Sequence, residues 1–251
     1  MFVREKVIKA ILDSGENFMS GEQLSKKLGI SRTAVWKHIN ALREEGYNIE
    51  EKFADRNEGM IPHEKMPEYY KGYRLAEKPD DILSSENIAY NLPTEFIGKK
   101  VIHLDTVGST NDYAKEIGNK VSGGTLIISE QQTKGKGRLG RVWKSKSGDG
   151  IWMSLIIKPK IEPYKAPFLT LVAGASVVKA LSNLGVEASI KWPNDIIVHN
   201  KKICGILTEL SAEMERVNYV VIGIGINIKT IDFPDEIKEK ATSLYKEGYK
   251  L

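Results

Sequence analysis

The chain has 251 residues, 41% of them apolar and 28% charged, and its 37 basic and 33 acidic side chains leave a net charge of +4. These proportions exclude a disordered or collagen-like chain, and the length suffices for one large domain or two of ordinary size. The longest weakly polar run, Phe168 to Val178, is too short to span a bilayer and Met1-Phe-Val-Arg-Glu-Lys6 lacks the layout of a signal peptide, so a cytoplasmic protein with no membrane partner is expected.

Val3, Val7, Ile8, Ile11 and Leu12 recur at helical spacing and predict a first helix that Asp13-Ser-Gly15 ends. Ser20-Gly-Glu-Gln23 is a capping box, which opens a second helix with Leu24 and Leu28 inward and Gly29 as its stop. Ser31 then caps a third helix with the apolar stripe Val35, Ile39 and Leu42, completing a helix-turn-helix. Its other side carries Arg32, Thr33, Trp36, Lys37, Asn40 and Arg43, which read either as the solvated face of a three-helix bundle or as a DNA-binding face. An uncovered Trp36 among cations favours DNA, with Thr33, Lys37 and Asn40 suited to base edges and Arg32 and Arg43 to phosphates. Tyr47 to Phe53 and Lys71 to Leu75 read as the strands of a wing, joined by a loop whose Asp55 and Glu58 are poor material for gripping phosphate. A linker belongs between Ala76 and Ser85, so the expected division is a DNA-binding domain over 1–76, a linker over 77–85 and a second domain over 86–251.

In that second domain strands are expected near 101–107, 125–132, 151–159, 188–191, 195–199, 203–212 and 217–228, with helices near 110–118 and 165–184. Closely spaced strands such as those around Asn200-Lys-Lys202 read as hairpins, so the fold class is α+β with a mixed, largely antiparallel sheet. Cys204 stands alone in an apolar stretch, which points to a buried thiol, and no pair among the four histidines has metal-ligand spacing.

Residues 134–146 carry Lys134, Lys136, Arg138, Arg141, Lys144 and Lys146 with no acid among them, and Gly135, Gly137 and Gly140 within this run fit the spacing G-x-G-x-x-G. A dinucleotide fold needs such glycines to open a helix, whereas this run leads into a strand at Ile151. A kinase reading lacks every downstream motif, and a P-loop needs Lys-Ser/Thr after the last glycine. A basic glycine loop remains, in suggestive company. Trp143 offers a flat stacking surface, Lys191-Trp-Pro-Asn-Asp195 sets a lysine before a forced turn, and Gly223, Gly225 and Asn227 lie on a strand where missing side chains would let a planar ligand approach the backbone. Upstream, Gly108-Ser-Thr-Asn-Asp112 is a turn into a helix that offers hydroxyls and an amide.

In chain order the helix-turn-helix, Gly108 to Asn111, Gln132 to Trp143, Lys191 to Asp195 and Gly223 to Asn227 resemble the biotin protein ligases of the bifunctional repressor type, over nearly the whole chain. The resemblance implies a catalytic domain like that of class II aminoacyl-tRNA synthetases behind a winged helix-turn-helix. The small β-barrel that usually follows Ala241-Thr-Ser-Leu244 is expected to be absent. It implies biotin and ATP as substrates, Mg²⁺ arriving with ATP, biotinyl-5′-adenylate as intermediate, and transfer to a lysine on the biotin carboxyl carrier domain of a carboxylase. The same adenylate would act as corepressor for a homodimer on operator DNA.

By the same resemblance Arg138 and Lys191 are the catalytic cations. Ser109, Thr110, Asn111, Gln132, Lys136 and Lys191 would hold biotin together with backbone at Gly135 and Gly205, and Ile196, Gly223 and Gly225 would form its apolar wall. Arg138, Arg141, Trp143, Lys191 and Asn227 would hold the adenylate. Lys136 departs from the family's usual arginine, a compact charge in place of a bidentate fork. Two rival readings are a biotin-sensing regulator without turnover and a lipoate ligase, the latter leaving Gly108 to Asn111 and the DNA-binding domain unexplained.

Overall fold

The computed structural model describes residues 3–55, 69–77, 83–214 and 216–250. The expected wing tip, 56–68, and the middle of the expected linker, 78–82, lie outside them. The chain divides into two units, Met1–Asn91 and Leu92–Leu251.

The first unit contains α1 (Val3–Asp13), β1 (Met19–Ser20), α2 (Gly21–Leu28), α3 (Arg32–Glu44), β2 (Ile49–Asp55), β3 (Tyr69–Leu75) and α4 (Ser85–Asn91), with an antiparallel sheet in the order β1-β3-β2. The caps do what their side chains dictate. Gln23 N donates to Ser20 Oγ at 3.1 Å while Ser20 N donates to Gln23 Oε1 at 2.7 Å, so two orphan donors at the start of α2 are satisfied reciprocally. Gly29 ends that helix at φ 67°, a left-handed conformation that a β-carbon disfavours. Ile8, Ile11, Leu24, Val35, Ile39 and Leu42 then pack into one core, which Tyr73 of β3 closes. The helix α4 was not foreseen: the expected linker ends at Ser85, and no element was expected over the residues that follow it. Ser84 starts it by accepting from Asn87 N at 3.1 Å, and the same hydroxyl lies 2.7 Å from the hydroxyl of Tyr47.

The second unit is built on seven strands: β4 (Val101–Val107), β5 (Thr125–Gln132), β6 (Gly150–Ile157), β7 (Ser189–Lys191), β8 (Asp195–Val198), β9 (Lys201–Ala212) and β10 (Val217–Asn227). They lie in the order β4-β5-β6-β10-β9-β8-β7. Among the described residues the β4–β5 strand pair alone is parallel, and α5 (Thr110–Ile117) is the crossover between those two strands, so the sheet is mixed and largely antiparallel as its hairpins predict. Strand alternation divides β10 between two faces. Val220, Ile222 and Ile226 pack toward α6 (Phe168–Asn183), and Tyr219 and Val221 pack with Ala114 of α5. Gly223 and Gly225 share the α5 side, which places them on the face of the candidate site.

Two expectations need correction here. With the 3-10 turn before it, Pro163–Asn183 is by length and composition long and apolar enough to cross a membrane, longer than the run first read there. In the fold it lies against the sheet and buries Gly174, Val177 and Leu181. Ile196, expected in the wall of a ligand pocket, is fully buried on the α6 side, because it pairs with Cys204 and alternates away from Asp195 and Gly205. Cys204 is buried as expected, and burial pushes its thiol up to about 12.

Candidate functional site

The turn Gly108-Ser109 delivers α5 to the sheet. Ser109 is extended, at φ −154° and ψ 133°, and its hydroxyl accepts from Asp112 N at 3.4 Å, so it caps the helix. Thr110 and Asn111 follow, both buried. Gln132, at the end of β5, accepts from Thr110 N at 2.8 Å and from Thr110 Oγ1 at 3.1 Å, and donates to Ser145 Oγ at 2.8 Å. Ser154 of β6 reaches Thr110 Oγ1 at 2.8 Å and donates to Asn111 Oδ1 at 2.6 Å. Asn111 donates in turn to Leu207 O at 3.2 Å and to Glu209 Oε2 at 2.8 Å. An unbroken polar chain thus runs from Ser145 through Gln132, Thr110, Ser154 and Asn111 to Glu209, which fixes the orientation of the hydroxyls and amides expected to read a small polar head.

The charged side chains continue it. Lys115 Nζ lies 2.7 Å from Glu209 and 3.0 Å from Asp112, and Lys136 Nζ lies 2.6 Å from Asp112. Burial pushes the Asp112 carboxyl up, but Lys136 and Lys115 outweigh it and hold the group below its ordinary value. The hydrogen bond to Glu209 is foremost in raising Lys115. Lys136, expected on biotin, is therefore an ion-pair partner of α5 in this structure.

The basic glycine loop starts from a fixed base. Thr133 N donates to Val107 O at 2.9 Å, Lys134 N to Gly108 O at 2.7 Å, Trp143 N to Gly135 O at 2.9 Å and Gly137 N to Arg141 O at 2.8 Å. A β-carbon on Gly135 would stand 2.3 Å from Trp143 O, so this glycine is required by close approach. Arg138 Nη1 donates to Asn194 Oδ1 at 2.9 Å, which brings the loop to the turn that follows Lys191. That turn contains a cis Trp192–Pro193 bond and is tied to β9 by Asn194 Nδ2 and Ile206 O at 2.9 Å. Lys191 ends β7 in an exposed position opposite Asp195, and Arg141 is exposed on the loop.

The glycine floor differs from expectation. Gly205, Gly223 and Gly225 do present bare backbone, but side chains of this chain cover it. A β-carbon on Gly223 would lie 2.2 Å from Asn111 Oδ1, one on Gly225 2.6 Å from Trp143 Nε1, and one on Gly205 2.9 Å from the Trp143 ring. Trp143 also packs edge-on against Trp152, with centroids 6.5 Å apart. Among the described residues its Nε1 is buried with no hydrogen-bond partner. Asn227 is buried, and its Nδ2 donates to Thr242 O at 3.1 Å. No group of three or more His, Cys, Asp or Glu side chains among the described residues is arranged to hold a metal ion.

In the first unit, Arg32, Thr33 and Trp36 of α3 line an open cavity of about 360 Å³ together with Gly21, Lys71 and Tyr73. Trp36 is 48% exposed, and Lys37 is exposed beside it. Arg43 is engaged within its own unit. Its Nε and Nη2 donate to Ile49 O at 3.0 and 2.6 Å, and Nη1 meets Glu51 at 2.8 Å, so it braces the base of the wing. Sequence reasoning missed Ser154, Glu209, Asn194 and Lys202 around the first site and Lys71 and Tyr73 around the second. A polar residue within the apolar run of β6 was the one available signal for Ser154.

These features define a ligase-type domain carried with a DNA-binding domain on one chain. Residues 3–52 match a helix-turn-helix domain and residues 104–227 match the biotin/lipoate A/B protein ligase family. The bifunctional ligase/repressor BirA of Bacillus spizizenii is 46% identical over 246 residues, covering 96% of this chain and 70% of that protein. Its namesake from Escherichia coli K12 is 35% identical over 220 residues, 87% of this chain and 62% of that protein. The biotin protein ligase from Aquifex aeolicus, solved in complex with biotin and ATP, superposes with a TM-score of 0.51 at 39% identity, over 59% of this chain and 61% of that one. The chain belongs to the biotin/lipoate A/B protein ligase family, with the helix-turn-helix of its bifunctional ligase/repressor branch.

Proposed function

We propose that the chain forms biotinyl-5′-adenylate from biotin and ATP, transfers biotin to a lysine on the carboxyl carrier domain of a carboxylase, and represses biotin genes with the adenylate as corepressor. The observation that carries this reading is the polar chain from Ser145 to Glu209 lying beside a basic loop whose Arg138 meets the turn after Lys191.

In the first step a biotin carboxylate oxygen bonds to the α-phosphorus of ATP while the α–β anhydride bond breaks, and pyrophosphate leaves with the electron pair and its magnesium. Arg138 and Lys191 offset the negative charge that gathers on the α-phosphoryl oxygens. In the second step a neutral lysine amine attacks the acyl carbon, the C–N bond forms, AMP departs and the amine loses a proton. Ser109, Thr110, Asn111 and Gln132 orient the ring of biotin, and backbone at Gly135 and Gly205 completes its cradle. Gly223 and Gly225 keep the floor low. Arg141, Trp143 and Asn227 serve the nucleotide end, for which Trp143 and Asn111 must yield part of the floor they now cover. Lys136 contributes to the carboxylate only after leaving Asp112.

Arg32, Thr33, Trp36, Lys37 and Asn40 meet operator DNA, and two adenylate-bound copies pair to present two such helices to a palindrome. The protein works in the cytoplasm. Pyrophosphate release on adding biotin and MgATP, followed by label transfer to a carrier domain, tests the reading. Binding of biotin without pyrophosphate release would leave a regulator that senses biotin, and absence of both would remove the ligase reading.

A further inference from the structure

Tyr47 follows the end of α3 and carries a phenol into the core of the first unit, where it is 3% exposed. Burial pushes its hydroxyl up from the ordinary value. A hydroxyl so placed must find a partner or forfeit the bonds it made to water. Its partner is Ser84 Oγ, 37 residues further along the chain and 2.7 Å away. The same serine starts α4, since its Oγ accepts from Asn87 N at 3.1 Å and its carbonyl accepts from Ile88 N at 3.0 Å. One oxygen therefore joins the end of α3 to the beginning of α4.

Other contacts hold both sides of this joint. Tyr47 N donates to Leu42 O at 3.0 Å, which ties it to the last turn of α3, and Ala76 N donates to Asn48 O at 2.8 Å, which brings the end of β3 to the same corner. Arg4 of α1 meets Glu45 at 2.6 Å, and α1 also packs against α4, whose Asn87 is buried. A helix of seven residues is marginal in water by itself, so α4 depends on this seat. The first unit ends with α4 at Asn91 and the second begins at Leu92, which makes α4 the last piece of the DNA-binding unit. Two α3 helices that read one palindrome must keep a set spacing, about 34–36 Å for half-sites one turn apart, and a slack attachment would give that up.

We propose that Tyr47 and Ser84 form a joint that fixes α4 to the end of α3, and that both are positioning residues for repression, through which the ligand state of the second unit governs how α3 is presented to DNA. The inference takes its ligand from the ligase and repressor reading, but the first arm of its test needs none. In that arm, hydrogen exchange of the ligand-free full chain is followed for the wild type, Tyr47→Phe, Ser84→Ala and Ser84→Thr. Tyr47→Phe removes the pair and leaves the cap, so amides 88–91 should exchange about fivefold faster, the scale of one net hydrogen bond, with α1, α2 and α3 unchanged. Ser84→Ala loses the cap as well and should exceed that, whereas Ser84→Thr keeps a hydroxyl and should stay near the wild type.

The second arm uses a DNA duplex that the wild type selects from a random-sequence pool in the presence of biotin and MgATP. The gain in affinity for this duplex on adding biotin and MgATP should fall about fivefold in Tyr47→Phe, while pyrophosphate release stays at the wild-type rate. Wild-type α4 amides that exchange as freely as an unfolded segment, or α4 exchange unaltered by Tyr47→Phe, would overturn the joint. So would a full ligand-driven gain in DNA affinity in Tyr47→Phe. Faster exchange spread evenly over α1, α2 and α3 would assign Tyr47 to the general stability of the first unit and overturn it equally. A wild type that releases no pyrophosphate would remove the ligase reading instead, and the exchange arm alone would then decide the joint.

Discussion

Ser154 and Asn111, 43 residues apart in sequence, meet at 2.6 Å in the buried centre of the site. The hydroxyl also touches Thr110, so one small side chain of β6 sets two residues of α5. Ser154→Ala leaves Asn111 Oδ1 buried without its donor. We expect a loss of about 1–3 kcal/mol in urea unfolding and a weaker hold on biotin by calorimetry. Unchanged values in both measurements would show that the chain of hydrogen bonds re-forms without Ser154.

Gly223→Ala puts a methyl group where Asn111 Oδ1 now lies, 2.2 Å from the ideal β-carbon. Asn111 cannot swing freely, since Ser154, Leu207 and Glu209 hold it. Displacement by about 1 Å should lower biotin affinity by roughly 10²-fold. Calorimetry with biotin reads this directly, and wild-type affinity would place the ligand elsewhere.

Arg138→Ala should slow pyrophosphate release on the order of 10²-fold, the usual scale for one preorganised donor aimed at developing charge. Asn194→Ala should slow it less, because it removes only the anchor that Arg138 Nη1 finds at 2.9 Å. Equal rates in Arg138→Ala and the wild type would take Arg138 out of the chemistry.

Glu247 accepts from Thr242 Oγ1 at 2.6 Å and meets His199 Nδ1 at 2.6 Å. The Thr242 hydroxyl foremost, and His199 after it, hold the carboxyl below its ordinary value against the upward push of burial. A depressed folded value means that the charged form stabilises the fold at pH values above the unfolded one. That contribution fades as pH falls through the folded value. The stability gap between the wild type and Glu247→Gln should therefore be constant near neutrality and shrink on acidification below about pH 4.5, the ordinary carboxylate range. Urea midpoints over that span test it, and a gap that stays constant would sink it.

In the first unit, Lys37→Ala and Arg43→Ala should separate recognition from architecture. Lys37 is exposed and suited to a base edge, so its loss should leave thermal unfolding unchanged and cost about 1–3 kcal/mol of discrimination at one base pair in DNA binding. Arg43 donates to Ile49 O and Glu51, so its loss should cost about 1–2 kcal/mol in stability. Burial pushes the Glu51 carboxyl up, yet Lys71 and Arg43 together keep it below its ordinary value. A stable Arg43→Ala protein that binds DNA weakly would return Arg43 to the phosphate contacts.

Local rules made the first unit readable, because a capping box and a left-handed glycine act within four residues of themselves. Ser20, Gly29 and Ser31 could be placed from the letters alone. The site was legible to the extent that its residues lie in runs, as Ser109 to Asn111 and Gly135 to Trp143 do. Ile196 was placed in the pocket wall by resemblance, and alternation in a four-residue strand could not correct it, since it gives two faces without saying which one the helix covers. Ser154, Glu209 and Lys202 come from strands far away in sequence, and only the sheet order brings them to α5 and the loop. The α4 helix spans seven residues, too short for a periodic signal to outweigh its polar neighbours.

The floor beneath Asn111 and Trp143 is main chain, so no rotamer can raise or lower it. Its cover is side chain: Asn111 is held by hydrogen bonds to Ser154, Leu207 and Glu209, whereas Trp143 Nε1 is without a partner among the described residues. The floor is therefore fixed in height, and the room above it is set by the Asn111 and Trp143 side chains. A methyl group added at Gly205, Gly223 or Gly225 would occupy that room permanently, since main chain has no rotamer by which to withdraw it.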